Sequence, residues 1–433
     1  MDHFKDAHYF YIPSQGNVYT MTDLKLANGS TKLLVASLKR EVFCFEYQDS
    51  PTGSLVPTTK EISFTYIPNG AEIISLDAFN KSSTTNEFVI GITIIKNSNE
   101  SDSLEAYLNI YSEWEENEDF NIENIAQNCL NVELNFIPYK LLHSFLVKWQ
   151  DDECVTKEFV FILSGSDHQV HVYREHTLEH VYKEIDNKDF FPEFTKAPSP
   201  IIWIDVYYSE DYTERITSYA CECGYIKLLK VDTKKNQVVY NFSTRFGNYI
   251  SRVQIFPEDD GMSNFTFEMN GNVKRIGRDE KPVSHSKSIP NKINLVVINT
   301  ILPAVIFHNV LEFGLTDYAT LPRHDSTSIL TCCEIADIDF DGRKEILIGN
   351  SAEEIMLLKH IEQKGWCLED LKKIAAPVLG LKYLDVSGDG VKELVVLGMK
   401  GVHVLQHDSS YLQRVLHTKI QKLTLPDLEE IKT

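Results

Sequence analysis

The sequence lacks the features that attach proteins to membranes or nucleic acids. Its 433 residues contain no run of about eighteen apolar residues, so no transmembrane helix is expected. The N-terminal MDHFKDAHYFYIPSQ has no basic segment followed by an apolar one, so no signal peptide is expected. Basic residues are fewer than acidic ones, with 42 Lys and Arg against 63 Asp and Glu. The basic residues are scattered and form no cluster. The resulting net charge of -21 argues against nucleic acid or an anionic membrane surface as a direct partner, and with no apolar run no direct membrane insertion is expected.

The sequence also lacks the motifs of common enzyme classes. It has no glycine-rich phosphate loop, no G-x-S-x-G and no HExxH. Its eight Cys are widely spaced, and the C-x-C pair at Cys221 and Cys223 has no second pair at zinc spacing. We therefore predict reduced thiols in an intracellular protein, with no catalytic residues and no organic cofactor. A deep central pocket lined with several carboxylates or histidines would favour an enzyme instead.

What the sequence does have is a repeated hairpin pattern. A short apolar run ends in a small residue, a polar turn follows, and an alternating run rich in Val, Ile and aromatic residues completes the unit. Another short apolar segment precedes each unit. Seven such hairpin units along the chain predict an all-β fold. The expected architecture is a seven-bladed β-propeller with long inter-strand loops and a C-terminal helix. Six or eight blades, a pair of β-sandwiches and a β-solenoid are the alternatives. The hairpins lie near residues 33–47, 88–111, 159–173, 218–231, 294–308, 345–359 and 393–407.

The chain divides into residues 1–407, which form a single propeller, and a partly helical tail over 408–433. In the tail, apolar residues from Leu412 to Leu423 fall at helical spacing, and Pro426 would end such a helix. A propeller ring must also be closed, because an open ring leaves exposed strand edges. The strand-like HYFYIP, His8 to Pro13, is the candidate to complete the last blade, and residues after Tyr411 are the alternative.

Two acidic loops are the candidate metal sites. Both follow the pattern D-x-D-x-D-G-x-x-E, whose oxygen atoms can surround Ca²⁺ while the glycine permits the sharp turn. In the second loop a serine replaces one carboxylate, which weakens the ligand set. The first loop offers Asp337, Asp339, Asp341 and Glu345, and the second offers Asp385, Ser387, Asp389 and Glu393.

The same residues also fit a purely structural role. Asp side chains cap the backbone N–H groups of their own turn, and such a turn needs no ion. Either way we expect no acid–base catalysis, because side chains turned into a loop do not present a pair to a substrate. The other five units lack the pattern.

Several long segments resemble the kaptin family. They are ISFTYIPNGAEIISLDAFNKS (62–82), IENIAQNCLNVELNFIP (122–138), FILSGSDHQVHVY (161–173), IADIDFDGRKEILIG (335–349) and DVSGDGVKELVVLGMKGVHVLQH (385–407). The resemblance extends over roughly residues 14–407 and weakens in 174–200, in 257–292 and after 407. No matched segment identifies an actin-binding residue.

The resemblance implies a non-enzymatic scaffold subunit of the KICSTOR complex. Its partners would be the other subunits, especially a second FG-GAP-type propeller protein, and the GATOR complex. Through them it would help recruit GATOR to lysosomes and restrain TORC1 signalling when amino acids or glucose are scarce. The location would be cytoplasmic and peripheral at the lysosomal membrane. The alternative is an actin-filament-associated protein at actin-rich cell edges.

Overall fold

A computed structural model describes residues 1–50, 55–97, 103–112, 121–150, 153–176, 179, 181–258, 268–269, 272–273 and 292–424. These residues form thirty strands and three α-helices. Within these ranges no helix is long and apolar enough to cross a membrane. Seven sheets of four antiparallel strands account for nearly all of the strands.

The first four blades follow one another along the chain after β1 (Phe4–Tyr11). Blade 1 is β2 (Met21–Lys25), β3 (Thr31–Ala36), β4 (Val42–Asp49) and β5 (Leu55–Ile62). Blade 2 is β6 (Glu72–Asn80), β7 (Phe88–Asn97), β8 (Leu104–Ser112) and β9 (Cys129–Leu134), with helix α1 (Ile122–Ile125) before β9. Blade 3 is β10 (Pro138–Gln150), β11 (Glu153–Gly165), β12 (Val170–His176) and β13 (Val181–Ile185). Blade 4 is β14 (Ile201–Tyr208), β15 (Glu214–Cys221), β16 (Tyr225–Asp232) and β17 (Gln237–Arg245).

The remaining three blades complete the ring. Blade 5 is β18 (Ile250–Pro257), β21 (Ile293–Asn299), β22 (Val305–Phe307) and β23 (Tyr318–Thr320), with the two-stranded β19 (Glu268–Met269) and β20 (Asn272–Val273) inserted and helix α2 (Val310–Phe313) between β22 and β23. Blade 6 is β24 (Leu330–Ala336), β25 (Glu345–Asn350), β26 (Glu354–Ile361) and β27 (Gly365–Lys373). Blade 7 is β28 (Val378–Leu384), β29 (Glu393–Gly398), β30 (Gly401–His407) and, as its outer strand, β1. Helix α3 (Ser409–Thr424) follows β30.

The core lies between the blades, and this explains the sequence of the second strand in each. Every residue of β21, β25 and β29 is buried. Apolar side chains on both faces of these strands pack against the neighbouring blades, so the sequence reads as a continuous apolar run. The prediction of a seven-bladed propeller with a C-terminal helix is therefore confirmed.

The fourth strand of each blade is the part of the fold that the hairpin pattern did not show. Strand β13, Val181–Ile185, lies outside the hairpin predicted near residues 159–173. In β17 six of the nine residues are exposed, three are partly buried and none is buried. An outer strand packs only lightly, so it needs few apolar residues and gives a weak sequence signal.

The N-terminal strand closes the ring. Strand β1 pairs antiparallel with β30, from Phe4 opposite His407 to Tyr11 opposite Gly401. The prediction that residues around His8–Pro13 complete the last blade is confirmed. At this junction the rings of His3 and His407 stack with centroids 5.4 Å apart, and Tyr411 of α3 stacks on His3 at 4.4 Å. The end of the ring is therefore joined by aromatic contacts as well as by strand pairing.

The histidines at this junction predict that the protein loses stability in acid. Burial lowers the pKa of His3 to about 4 and that of His407 to about 3. Below pH 6.5 the unfolded chain protonates these rings and the folded protein does not, so stability falls as the pH drops from 6.5 towards 4. We expect a decrease of about 2 kcal/mol from this pair.

The measurement is urea unfolding of the wild type and of the double variant His3→Gln, His407→Gln at pH 7 and pH 4.5. The test compares how much stability each of the two proteins loses between pH 7 and pH 4.5. The loss in one protein alone would not be informative, because carboxylates also titrate in this range. Equal losses of stability in the two proteins would contradict the prediction.

A buried ion pair fixes the long connection from β13 to β14 onto blade 4. Glu193 lies in this connection with a side chain that is 0% exposed, and Arg215 of β15 is 2% exposed. The guanidinium donates to both carboxylate oxygens at 2.7 and 2.9 Å and to the Phe190 carbonyl at 2.9 Å. The Thr217 hydroxyl donates to the same carboxylate at 3.0 Å. Glu193 and Arg215 thus satisfy each other in a site closed to water.

Gly224 occupies the turn between β15 and β16, where no side chain fits. Its φ is +81°, and a Cβ atom there would lie 2.3 Å from the Phe246 carbonyl oxygen and 2.5 Å from that of Asn248. We expect Gly224→Ala to lower the free energy of unfolding by about 2 kcal/mol, because backbone conformation and sterics both oppose it. Gly29→Ala is the matched control, since its φ is +87° with no atom within 4 Å of the added Cβ. Equal losses in denaturant unfolding would refute the steric part of this expectation.

Candidate functional site

The two acidic loops occupy equivalent turns in neighbouring blades. Residues 337–345 (the first loop) connect β24 to β25, and residues 385–393 (the second loop) connect β28 to β29. Within each loop the ligand atoms of three acidic residues lie within 4.8 Å of one another. The set in the first loop is Asp337, Asp339 and Asp341, and the set in the second is Asp385, Asp389 and Glu393.

Both loops are held by the same backbone hydrogen bonds. In the first loop the Gly342 amide donates to Asp337 at 2.9 Å, and the Ile338 amide donates to Glu345 at 3.0 Å. In the second, the Gly390 amide donates to Asp385 at 2.9 Å, and the Val386 amide donates to Glu393 at 2.8 Å. The carboxylates therefore do cap their own turn, as the structural interpretation of the motif requires.

The first loop contains a cation supplied by the protein itself. The ammonium of Lys359 is hydrogen-bonded to Asp339, lies 2.7 Å from Asp341 Oδ2 and lies 3.5 Å from Glu345 Oε1. Strand pairing places it there, because Ile346 of β25 lies opposite Leu358 of β26, so Glu345 and Lys359 are the next pair. The position expected for a metal ion is thus next to a lysine Nζ.

The second loop has a neutral residue at the same position. Leu394 lies opposite Leu405, which brings Gln406 opposite Glu393. The Gln406 side-chain amide donates to Glu393 Oε1 at 3.3 Å. Among the described residues, no Lys or Arg lies within ion-pair distance of the three acidic groups of this loop. The two loops therefore differ in charge, although their backbones match.

The protonation states of Asp341, Glu345 and Lys359 follow from these contacts. For Asp341, burial opposes ionisation, but the Lys359 ammonium outweighs it and lowers the pKa. Burial and the neighbouring Asp339 raise the pKa of Glu345 to about 8. Lys359 keeps its proton, since its carboxylate neighbours raise its pKa against the effect of burial. Near neutral pH the cluster holds an ionised lysine–aspartate pair and a protonated Glu345.

Sequence reasoning did not identify Lys359. It lies fourteen positions after Glu345 in a different strand, outside the motif. The signal that could have identified it is the length of the turn between the second and third strands of the blade. The turn from β25 (ending at Asn350) to β26 (beginning at Glu354) is one residue longer than the turn from β29 (ending at Gly398) to β30 (beginning at Gly401). A different position therefore comes to lie opposite the glutamate of each loop. Cation binding by the second loop stays a prediction.

A second set of polar residues lines the central channel, and sequence reasoning missed it. In six of the seven blades, the pairing between the innermost strand and the second strand has a one-residue irregularity near the start of the innermost strand. The residue two positions after the point where regular pairing resumes is polar. Strand β2 contributes an aspartate at its third position. The seven residues are Asp23, Asp77, His143, Asp205, Gln254, Glu334 and Lys382.

The charges in this ring are paired between blades. Lys382 of blade 7 is bonded to Asp23 of blade 1, and His143 Nδ1 of blade 3 lies 2.8 Å from Asp77 Oδ2 of blade 2. Asp205 of blade 4 accepts a hydrogen bond of 2.6 Å from a backbone amide of blade 5. These contacts connect neighbouring blades.

Tyr19 crosses the channel at one end. It belongs to the connection from β1 to β2, and its hydroxyl donates to the Ile202 carbonyl of blade 4 at 2.8 Å. Its ring stacks on Trp203 at 5.8 Å, and the Lys140 ammonium lies 4.8 Å from the Trp203 ring. The channel thus has the carboxylates and the histidine that would suit an enzyme, but they are engaged with each other and Tyr19 covers them on this side.

Comparison with known proteins assigns the family. The sequence model described as KICSTOR complex protein kaptin matches residues 4–417. The curated mouse KICSTOR complex protein kaptin is 33% identical over 412 residues, which cover 94% of this chain and 89% of the mouse protein.

Among solved structures, BBS1N in complex with ARL6DN is similar in two crystals, one soaked with lead and one with mercury. The TM-scores are 0.51 and 0.52 at 9% identity, over 93% and 94% of this chain and 97% of that chain in both cases. At this identity the similarity concerns the fold alone.

Proposed function

Because the chain belongs to the family of the KICSTOR complex protein kaptin, we propose that it is a non-enzymatic scaffold subunit of a KICSTOR complex. The single observation that carries the proposal is the family match, which spans residues 4–417 and so includes all seven blades. The channel supports it, because its ionisable side chains pair with one another across the blades.

The proposal extends to the partners and the pathway that the family implies. The partners are the other KICSTOR subunits, above all a second FG-GAP-type propeller protein, and through them the GATOR complex. The complex would recruit GATOR to lysosomes and thereby restrain TORC1 signalling during amino-acid or glucose deprivation. A rigid ring with loops on two faces suits this task, since it holds several contact surfaces in fixed relative positions.

The location follows from the partners. Since the described residues contain no helix suited to spanning a bilayer, we propose a peripheral position at the lysosomal membrane that depends on the other subunits. Loss of the other KICSTOR subunits should then release this chain from lysosomes.

Affinity purification of the tagged chain from cells tests the proposal, followed by TORC1 substrate phosphorylation in cells that lack the gene. We expect the other KICSTOR subunits in the purified material and sustained TORC1 activity during starvation. Purified chain without those subunits would refute the proposal.

Actin association is the alternative function, and no contact among the described residues favours it. Co-sedimentation with actin filaments at micromolar concentration distinguishes the two functions. The net charge of -21 predicts that the chain stays in the supernatant, because filament surfaces are acidic as well.

A further inference from the structure

Helix α3 exposes an apolar ridge. Leu412, Leu416 and Ile420 are four residues apart and therefore lie along one side of the helix. Leu416 is 47% exposed and Ile420 is 49% exposed. None of residues 409–421 is buried. A single helix of this length obtains most of its stability from packing an apolar side, so this ridge is suited to contact with another surface.

The helix is attached to the propeller by a different side. The Tyr411 hydroxyl donates to the Asp339 carbonyl at 3.3 Å, and the Lys419 ammonium lies 5.8 Å from the centre of the Phe340 ring. Both contacts are made to the first loop. They hold the helix in place, and Leu416 and Ile420 remain 47% and 49% exposed.

The charge of the helix is opposite to that of the chain. Residues 409–424 include Arg414, Lys419 and Lys422 and no acidic residue, although the net charge of the chain is -21. A basic helix with an apolar ridge is typical of segments that bind an acidic, apolar groove or an anionic membrane.

We propose that this ridge docks into an apolar groove with an acidic rim on another subunit of the complex. The inference rests on the proposed function. A protein groove fits better than a bilayer, because the ridge has only two strongly exposed aliphatic residues and no aromatic residue. The arrangement is a helix-in-groove contact in which Leu416 and Ile420 are the anchors.

The test is co-expression of the tagged chain with the other KICSTOR subunits, followed by quantification of each subunit after affinity purification. The double variant Leu416→Asp, Ile420→Asp is expected to reduce recovery of one subunit at least tenfold. The control double variant Thr418→Asp, Gln421→Asp adds the same two charges at exposed polar positions of the helix and should leave recovery at the wild-type level. Arg414→Glu keeps the ridge and should weaken recovery more at low salt than at high salt.

The outcomes separate this inference from the proposed function. If the wild type recovers no other subunit, the proposed function fails. If the wild type and the ridge variant recover all subunits equally, the docking inference is overturned while the proposed function stands. Ridge-dependent binding to vesicles of phosphatidylcholine and phosphatidylserine, with unchanged subunit recovery, would overturn it in favour of a membrane. Thermal unfolding of the ridge variant at the wild-type temperature is the folding control.

Discussion

Replacing Arg215 by alanine is expected to lower the free energy of unfolding by about 4 kcal/mol, the typical loss when one partner of a buried ion pair is removed. The guanidinium makes two bonds to Glu193, which is 0% exposed. Without Arg215, the Thr217 hydroxyl is the one hydrogen-bond donor to this carboxylate that remains among the described residues. It must then take up a proton or admit water, and either response loosens the connection from β13 to β14.

The control is a variant that removes both charges, Arg215→Met with Glu193→Leu. Replacement of a buried pair by apolar residues is often neutral, so this double variant should recover most of the loss. Chemical unfolding of the wild type, the single variant and the double variant measures the three values. A double variant as unstable as Arg215→Ala would mean that packing around the arginine, rather than the unpaired charge, accounts for the loss.

Lys359→Gln is expected to lower the free energy of unfolding by about 3 kcal/mol at neutral pH, because it removes the cation from a group of acidic residues. Glu345 is 1% exposed and mostly protonated near neutral pH, so the loss of the cation acts mainly on Asp339 and Asp341. Asp339 and Asp341 are partly exposed, so solvent screens some of the repulsion. The substitution also gives the first loop the neutral residue that the second loop has at Gln406.

The same variant separates the two interpretations of the acidic loops. Millimolar Ca²⁺ should raise the melting temperature of Lys359→Gln and leave the first loop of the wild type unaffected, since the ammonium already neutralises it. The reciprocal variant Gln406→Lys should abolish any Ca²⁺ response that comes from the second loop. A wild-type Ca²⁺ response that Asp337→Ala removes would show that the first loop binds the metal despite its lysine.

The acidic loops show how far sequence reasoning reaches. The motif located both loops between two strands of a blade, because its residues are contiguous. It did not show the charge balance of the first loop, because Lys359 comes from the next strand and its register is set by the length of a later turn. Contacts among the contiguous residues of the motif could be predicted from the sequence. The contact with Lys359, which lies on a different strand, could not.

The channel residues illustrate the same limit in a different way. Asp77 and Asp205 each stand within an apolar segment that precedes a hairpin, and this recurrence was available as a signal. Their partners were not, since His143 reaches Asp77 only after the blades are arranged in a ring. Outer strands such as β13 were missed for the opposite reason, because an exposed strand needs few apolar residues.

The pairing of β1 with β30 has a consequence for biosynthesis. The Tyr9 hydroxyl donates to the Lys400 carbonyl, 391 residues away, so during synthesis β1 leaves the ribosome long before its partner strand β30 does. Until residues 401–407 emerge, β1 and β29 both have an unpaired edge, and such edges favour aggregation. Joining ends so far apart costs about 5 kcal/mol in chain entropy, which the finished blade must offset. A stop codon before residue 401 would therefore leave the whole ring open, and the truncated chain should depend on chaperones and be degraded.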